Sequence, residues 1–125
     1  MMIERRLQPY GDELYEWAFQ RFAQQCKQRG IHPLVVYRPA PSDSEGSEQA
    51  ERTKVIGMAR AAGLEVIDLS PAFASVANRD TLMIARWDHH TTALGHRLLA
   101  DKLYQGLVPL LFSSPGESQH QLSHH

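Results

Sequence analysis

Apolar positions recur at helical spacing in the first part of the chain. The residues of this stripe are Leu14, Trp17, Ala18, Phe22, Ala23 and Cys26. Such a period is typical of an amphipathic helix, and Gly30 stands just beyond the stripe, where a terminating glycine is common. The pattern therefore predicts a helix from about residue 12 to residue 29.

Two short apolar runs then alternate with a second helical pattern. Residues 33–37 are apolar and β-branched, residues 39–46 are rich in turn formers, and residues 64–69 form another apolar run. Between the runs, residues 47–63 carry apolar positions at helical spacing and end in glycine. Two buried strands joined by a helix form a βαβ unit, which implies a parallel sheet. The predicted class is therefore α/β.

The rest of the chain predicts shorter elements and one long helix. Residues 71–74 favour a helical turn, residues 82–84 an extended segment and residues 87–92 a polar loop. Leucines at a period near 3.6 then predict a final helix from about residue 92 to residue 111. The sheet is expected to have only two or three strands.

Length and charge narrow the range of functions. The chain has 125 residues and a formal net charge of -1, which suits one domain over residues 1–112. Residues 113–125 contain few apolar side chains and are expected to be a disordered tail. A balanced charge argues against nucleic acid or a membrane surface as partner. No signal peptide or transmembrane run is recognised, so a cytoplasmic protein is expected.

An aspartate and a histidine stand out near the start of the final helix. In open parallel sheets, ligands bind beyond the carboxyl ends of the strands, and residues 38–46, 70–78 and 87–92 are expected there. In the last of these segments, Asp88 can orient the imidazole of His90 and stabilise its protonated form, as a general base requires. The alternative is that Asp88 caps a loop and the histidine is an ordinary surface residue.

The segment DHHTTALGH, from Asp88 to His96, resembles a motif of a known family. It is similar to the last motif block of SGNH/GDSL hydrolases, in the D-x-H-x-[NT]-x-x-G-H form of their polysaccharide O-acetyl esterase and acetyltransferase branch, and close to DHHW-type relatives. The order of elements over about residues 12–111 resembles the C-terminal half of that fold. The resemblance implies a flavodoxin-like three-layer sandwich with a small parallel sheet.

The resemblance also implies a reaction and a role for each matched residue. In this family, a Ser-His-Asp triad hydrolyses or transfers an acyl group without a metal or organic cofactor. His90 matches the general base and Asp88 its orienting carboxylate. Thr92 matches a capping residue, Gly95 a close-packing residue, and His96 a structural residue packed at the first helical turn. The expected substrate is a small-molecule or carbohydrate ester.

The family's nucleophile block and oxyanion-hole blocks are not found in this sequence. Ser42 and Ser44 follow the first predicted strand and are candidate nucleophiles; the other source of the serine is a missing N-terminal half or another chain. Arg38, Arg86 and Trp87 border the same predicted edge and are candidate substrate-binding residues, through bidentate hydrogen bonds and ring stacking.

Two further interpretations stay open. A half-sheet leaves an edge strand and a helix face uncovered, which predicts a catalytically inactive fragment or partner-binding module that forms homo-oligomers. Trp17, Phe19 and Phe22 would then be an exposed interface rather than core. A metal site could be built from Asp88, His89, His90 and His96, but adjacent histidines rarely face one ion, so no metal site is predicted.

Overall fold

The computed structural model describes residues 10–41 and 47–112, apart from the side chain of residue 47. It is a mixed helix and strand structure. Its α-helices are α1 (Gly11–Gln28), α2 (Ser47–Ala61) and α3 (Ala93–Phe112); its strands are β1 (Leu34–Tyr37), β2 (Glu65–Asp68), β3 (Met83–Ala85) and β4 (Asp88–Thr91); and two 3-10 helices span Ser70–Phe73 and Arg79–Leu82. The predicted tail over residues 113–125 lies outside the described residues, as do Ser42 and Ser44.

The first of two compact units contains the described residues 10–39 and 47–68. Strands β1 and β2 pair in parallel, with Leu34 opposite Glu65 and Tyr37 opposite Asp68. Helix α2 connects the two strands and packs against both, so the predicted βαβ unit is confirmed. The buried side chains of this unit include Cys26, Ile56, Ala59, Leu64 and Ile67.

Helices α1 and α2 each end two residues before a glycine that the sequence pattern identified, Gly30 and Gly63. Gly30 has φ 65 and Gly63 has φ 83, a left-handed conformation in which a side chain would be strained. After α1, the N–H of Ile31 donates to the carbonyl of Cys26 at 2.9 Å and the N–H of Gly30 to that of Lys27 at 3.3 Å. This pair of bonds is the Schellman motif, and it turns the chain from helix into strand.

The second unit contains residues 40–41 and 69–112. Helix α3 packs against both 3-10 helices and against β4. Phe73 and Leu82 are fully buried beneath it, and Leu99 of α3 is nearly so. The predicted helical turn near residue 71 is confirmed as the 3-10 helix Ser70–Phe73.

The prediction of a polar loop over residues 87–92 is wrong. Strands β3 and β4 form an antiparallel hairpin around a turn at Arg86 and Trp87, separate from the parallel sheet. The polar run forms a strand because a two-stranded hairpin needs only backbone pairing and a partly buried face. In β4 that face is supplied by Thr91, which is 6% exposed, while Asp88 is only partly covered.

Candidate functional site

Asp88 and His90 contact each other on β4. Asp88 follows the hairpin turn directly, and His90 lies two residues further along the strand. Nδ1 of His90 hydrogen-bonds Oδ1 of Asp88, and the same carboxylate oxygen accepts the backbone N–H of His90 at 3.1 Å. One carboxylate oxygen therefore fixes both the ring and the backbone of the histidine.

The contact also favours the ionised form of the Asp88 carboxyl group. The hydrogen bond from the His90 side chain, followed by that from the His90 backbone N–H, lowers the pKa of Asp88 below its ordinary value. Asp88 is therefore an anion at neutral pH, and its Oδ1 accepts the hydrogen bond that Nδ1–H of His90 donates. The side chain of His90 is 85% exposed, so Nε2 is accessible for proton exchange with another group.

An irregularity in the hairpin lies at the two adjacent histidines. Met83 pairs with Thr91 and Ala85 with Asp88, so Ile84 stands against both His89 and His90. Two residues facing one make a β-bulge, which redirects side chains and is frequent beside functional sites.

The two histidines consequently have different partners. Nε2 of His89 lies 3.0 Å from the carbonyl oxygen of Arg86 across the turn, whereas His90 contacts Asp88. The sequence analysis paired Asp88 with His90, but nothing in the DHH run marks the bulge or the contact of His89 with Arg86.

Thr92 anchors the end of β4 to the neighbouring elements. Its hydroxyl donates to the carbonyl of Thr81 at 2.8 Å and accepts the backbone N–H of Gly95 at 3.3 Å, which makes it the N-cap of α3. Its backbone N–H donates to the carbonyl of Leu82 at 2.9 Å. The strand that carries the Asp88–His90 pair is therefore held at the end distant from the turn.

Gly95 lies where the start of α3 approaches β4 most closely. A Cβ at this position would lie 2.3 Å from Cγ2 of Thr91 and 3.5 Å from the carbonyl oxygen of Leu82. Only glycine fits there without displacing the buried threonine.

The prediction that His96 packs at the first turn of the helix is wrong, because its side chain is exposed. The buried face of α3 at this level is formed by Gly95 and Leu99, which are one turn apart. The side chain that follows Gly95 points about 100° away from that face.

The remaining predicted site residues lie in different places. Arg86 and Trp87 form the hairpin turn next to Asp88, and Trp87 is 89% exposed. Arg38 follows β1 in the first unit and is exposed. The second unit therefore brings together Asp88, His90, Arg86 and Trp87 on one hairpin.

A further polar cluster, missed in the sequence, lies at the carboxyl ends of β1 and β2. Tyr37 and Asp68 end the two strands in register, and Nε of Arg52 lies 3.8 Å from Oδ2 of Asp68. Burial raises the pKa of Tyr37, and the charge of Glu48 raises it further. The available signal was position: both residues are the last of their strands, where polar groups of a parallel sheet converge.

No family model matches the chain, and comparisons with curated proteins and with solved structures gave no match either. Within residues 10–41 and 47–112, no group of three histidine, cysteine or carboxylate side chains is arranged to hold a metal ion. In the same part of the chain, no helix combines the length and the apolar character needed to cross a membrane.

Proposed function

We propose that this chain is a domain of an SGNH/GDSL-type acyl ester hydrolase or O-acyltransferase, to which it contributes the Asp88–His90 pair. The observation that carries the proposal is the contact of an ionised carboxylate with Nδ1 of an imidazole whose ring is exposed. This is the arrangement by which serine hydrolases orient their general base. The DHHTTALGH motif gives the pair its family context.

The proposal extends to the fold, as the C-terminal half of a flavodoxin-like three-layer sandwich. It is supported by the order of elements: helix α1 is followed by a parallel βαβ unit, then by the segment carrying Asp88 and His90, and then by a long final helix. In a fold of this kind, acid and base groups lie on loops and strand ends that the rigid sheet and helices position.

In the proposed reaction, Nε2 of His90 removes the proton from a serine hydroxyl as the serine oxygen attacks the carbonyl carbon of an ester. The resulting imidazolium is stabilised by Asp88 and returns the proton to the leaving alcohol. Water or an acceptor hydroxyl then attacks the acyl-serine by the same proton transfers in reverse. The substrate is a small-molecule or carbohydrate ester, and the chemistry needs neither metal nor organic cofactor.

The serine is assigned to Ser42 or Ser44, or to a residue supplied from outside these 125 residues. Arg86 and Trp87, which form the turn of the same hairpin, are proposed as contacts to the substrate.

A second candidate function is a partner-binding or oligomerising module of the same fold without catalysis. It is favoured by the surroundings of His90: within the described residues, its ring hydrogen-bonds Asp88 and no serine. The pair would then be a remnant of a site completed in related chains.

The deciding experiment treats the purified chain with a fluorophosphonate and reads its intact mass, while the same sample hydrolyses p-nitrophenyl acetate. We expect one adduct, and a loss of both labelling and turnover by about 100-fold or more in His90→Ala. His89→Ala is the matched control, because it removes an adjacent exposed histidine whose ring hydrogen-bonds the carbonyl of Arg86 rather than Asp88. An unlabelled chain whose turnover is equal in His90→Ala and His89→Ala would exclude Ser42 and Ser44 as the nucleophile, and would leave a serine supplied from outside these residues or the non-catalytic module.

A further inference from the structure

The β3–β4 hairpin has one covered face and one exposed face. The covered face contains Thr91, which is 6% exposed, and its cross-strand partner Met83. Successive side chains of a strand point to opposite faces, so Ile84, which follows Met83, and His90, which precedes Thr91, lie on the other face. That face is open to solvent: Ile84 is 63% exposed and the side chain of His90 is 85% exposed.

Ile84 is a cross-strand neighbour of His90 on this exposed face. The bulge sets Ile84 against both His89 and His90. Side chains that face each other across an antiparallel pair have Cβ atoms about 4.5–5.5 Å apart. An exposed isoleucine therefore lies beside the imidazole whose Nδ1 contacts Asp88 and whose Nε2 is accessible.

The position of Ile84 decides which part of an ester it contacts. In the proposed reaction, the imidazolium of His90 returns its proton to the leaving alcohol, so the oxygen of that alcohol lies within hydrogen-bond reach of Nε2. The acyl group instead stays bonded to the serine. A side chain beside the His90 ring consequently contacts the carbon skeleton of the alcohol.

The chemistry of the exposed face favours an apolar alcohol over a polyol. Ile84 offers contact area and no hydrogen bond, and Nε2 of the neighbouring His89 already hydrogen-bonds the carbonyl of Arg86. Trp87, in the turn of the same hairpin, adds a second exposed apolar side chain. Single exposed apolar side chains are ordinary, but this one lies directly against the proposed base, where burial by a bound apolar group is favourable.

We infer that Ile84 is a specificity-determining residue of the proposed ester site and contacts the apolar body of the leaving alcohol. The alcohol is of the alkyl or aryl class rather than a sugar. This inference rests on the proposed function for the identity of the ligand as an ester's alcohol, and it narrows the substrate class of that function.

The test is an NMR titration of the full chain, labelled at the isoleucine δ1 methyl groups and the histidine rings, with benzyl alcohol and separately with glucose. Benzyl alcohol is expected to shift the Ile84 methyl signal and the ring signals of His90 saturably, whereas glucose shifts neither. Ile31, exposed at 54% just before β1, is the internal control, and its methyl signal should not saturate.

Two variants sharpen the titration. Ile84→Thr keeps a β-branched, strand-favouring side chain but shortens its apolar reach, and should weaken binding of benzyl alcohol, read at His90, by about threefold or more. Ile31→Thr is the matched control and should bind as the unaltered chain does. Circular dichroism of both variants reports whether they are folded, and the titration of the unaltered chain needs no substitution at all.

The inference would be overturned by a shift at Ile84 no larger than that at Ile31, by equal shifts with glucose, or by equal binding in the two variants. The titration measures binding and needs no serine, so its failure is distinguishable from that of the proposed function, which fluorophosphonate labelling reports. In a sample that hydrolyses esters, the ratio of kcat/KM for benzyl acetate to that for methyl acetate should also fall about threefold in Ile84→Thr.

Discussion

Two histidine–carboxylate pairs occur in the described residues, one in each unit, and they differ in how the ring is used. On β4, Nδ1 of His90 contacts Asp88, two residues away. In the first unit, Nε2 of His32 lies 2.5 Å from Oε2 of Glu65, which is 33 residues away. Both histidine side chains are largely exposed, at 85% and 75%. Exposure and pairing with a carboxylate therefore do not distinguish the two pairs.

The two pairs differ in the ring nitrogen that contacts the carboxylate and in the contacts that hold the histidine. His32 uses Nε2, the atom that a general base needs for its substrate, to join the segment before β1 to the start of β2. His90 uses Nδ1, so Nε2 remains exposed. His90 is also held by its own backbone bond to Asp88, and its strand is anchored by Thr92. A base needs a fixed orientation as well as an accessible nitrogen, and of the two pairs the one on β4 has the additional backbone bond and strand anchor that fix the ring.

The largest expected effect tests the packing of α3 on β4, the strand that carries His90. Gly95→Ala places a methyl group against the buried Thr91 and should reduce the free energy of unfolding by about 1–3 kcal/mol. The matched control is Gly57→Ala in α2, where nothing lies within 4 Å of the added carbon.

That control should stabilise the chain by about 0.5–1 kcal/mol, because alanine favours a helix interior. Urea denaturation followed by circular dichroism measures both. Equal effects at the two glycines would contradict the close approach of α3 to β4. NMR should show altered ring signals of His90 in Gly95→Ala and unaltered signals of His32.

The next effect tests the anchor of β4. Thr92→Ala removes the N-cap bond to Gly95 and the bond to the carbonyl of Thr81, and should cost about 1 kcal/mol of unfolding free energy. Thr53→Ala is the control, because that hydroxyl only bonds back to the carbonyl of Gln49 within α2, and its loss should change stability by less than about 0.5 kcal/mol. A Thr92 effect no larger than the Thr53 effect would mean that the anchor contributes nothing.

The sequence predicted those features that depend on local pattern. The two helix-ending glycines, the βαβ unit and the long final helix follow from apolar period and backbone freedom, both of which are local. Strand β4 was not predicted, because backbone hydrogen bonds pair it with β3 and its polar side chains show no pattern typical of a strand. The bulge that gives His89 and His90 different partners was missed for the same reason.

A smaller effect tests the His32–Glu65 pair in the first unit. A double-mutant cycle with His32→Ala and Glu65→Ala should give a coupling of roughly 0.5 kcal/mol, because both groups are in contact with solvent. A coupling well above 1 kcal/mol would show that this pair is held as firmly as the one on β4.

The smallest effect on stability, and the sharpest test of the comparison, is the titration of Asp88. Its pKa is lowered in the folded chain, so its contribution to stability is present above the pKa of the unfolded carboxyl group and is lost as the pH falls through the folded value. His90→Ala removes the largest cause of the shift, and the pKa of Asp88 should rise toward its ordinary value while staying below it, because the backbone N–H at position 90 still donates.

His32→Ala should leave that titration unchanged. Carbon-detected NMR of the carboxyl group measures both variants at neutral and acidic pH. If His90→Ala left the pKa of Asp88 where it is, the carboxylate would not be orienting the ring, and the pair on β4 would have no greater claim to a base than the pair formed by His32.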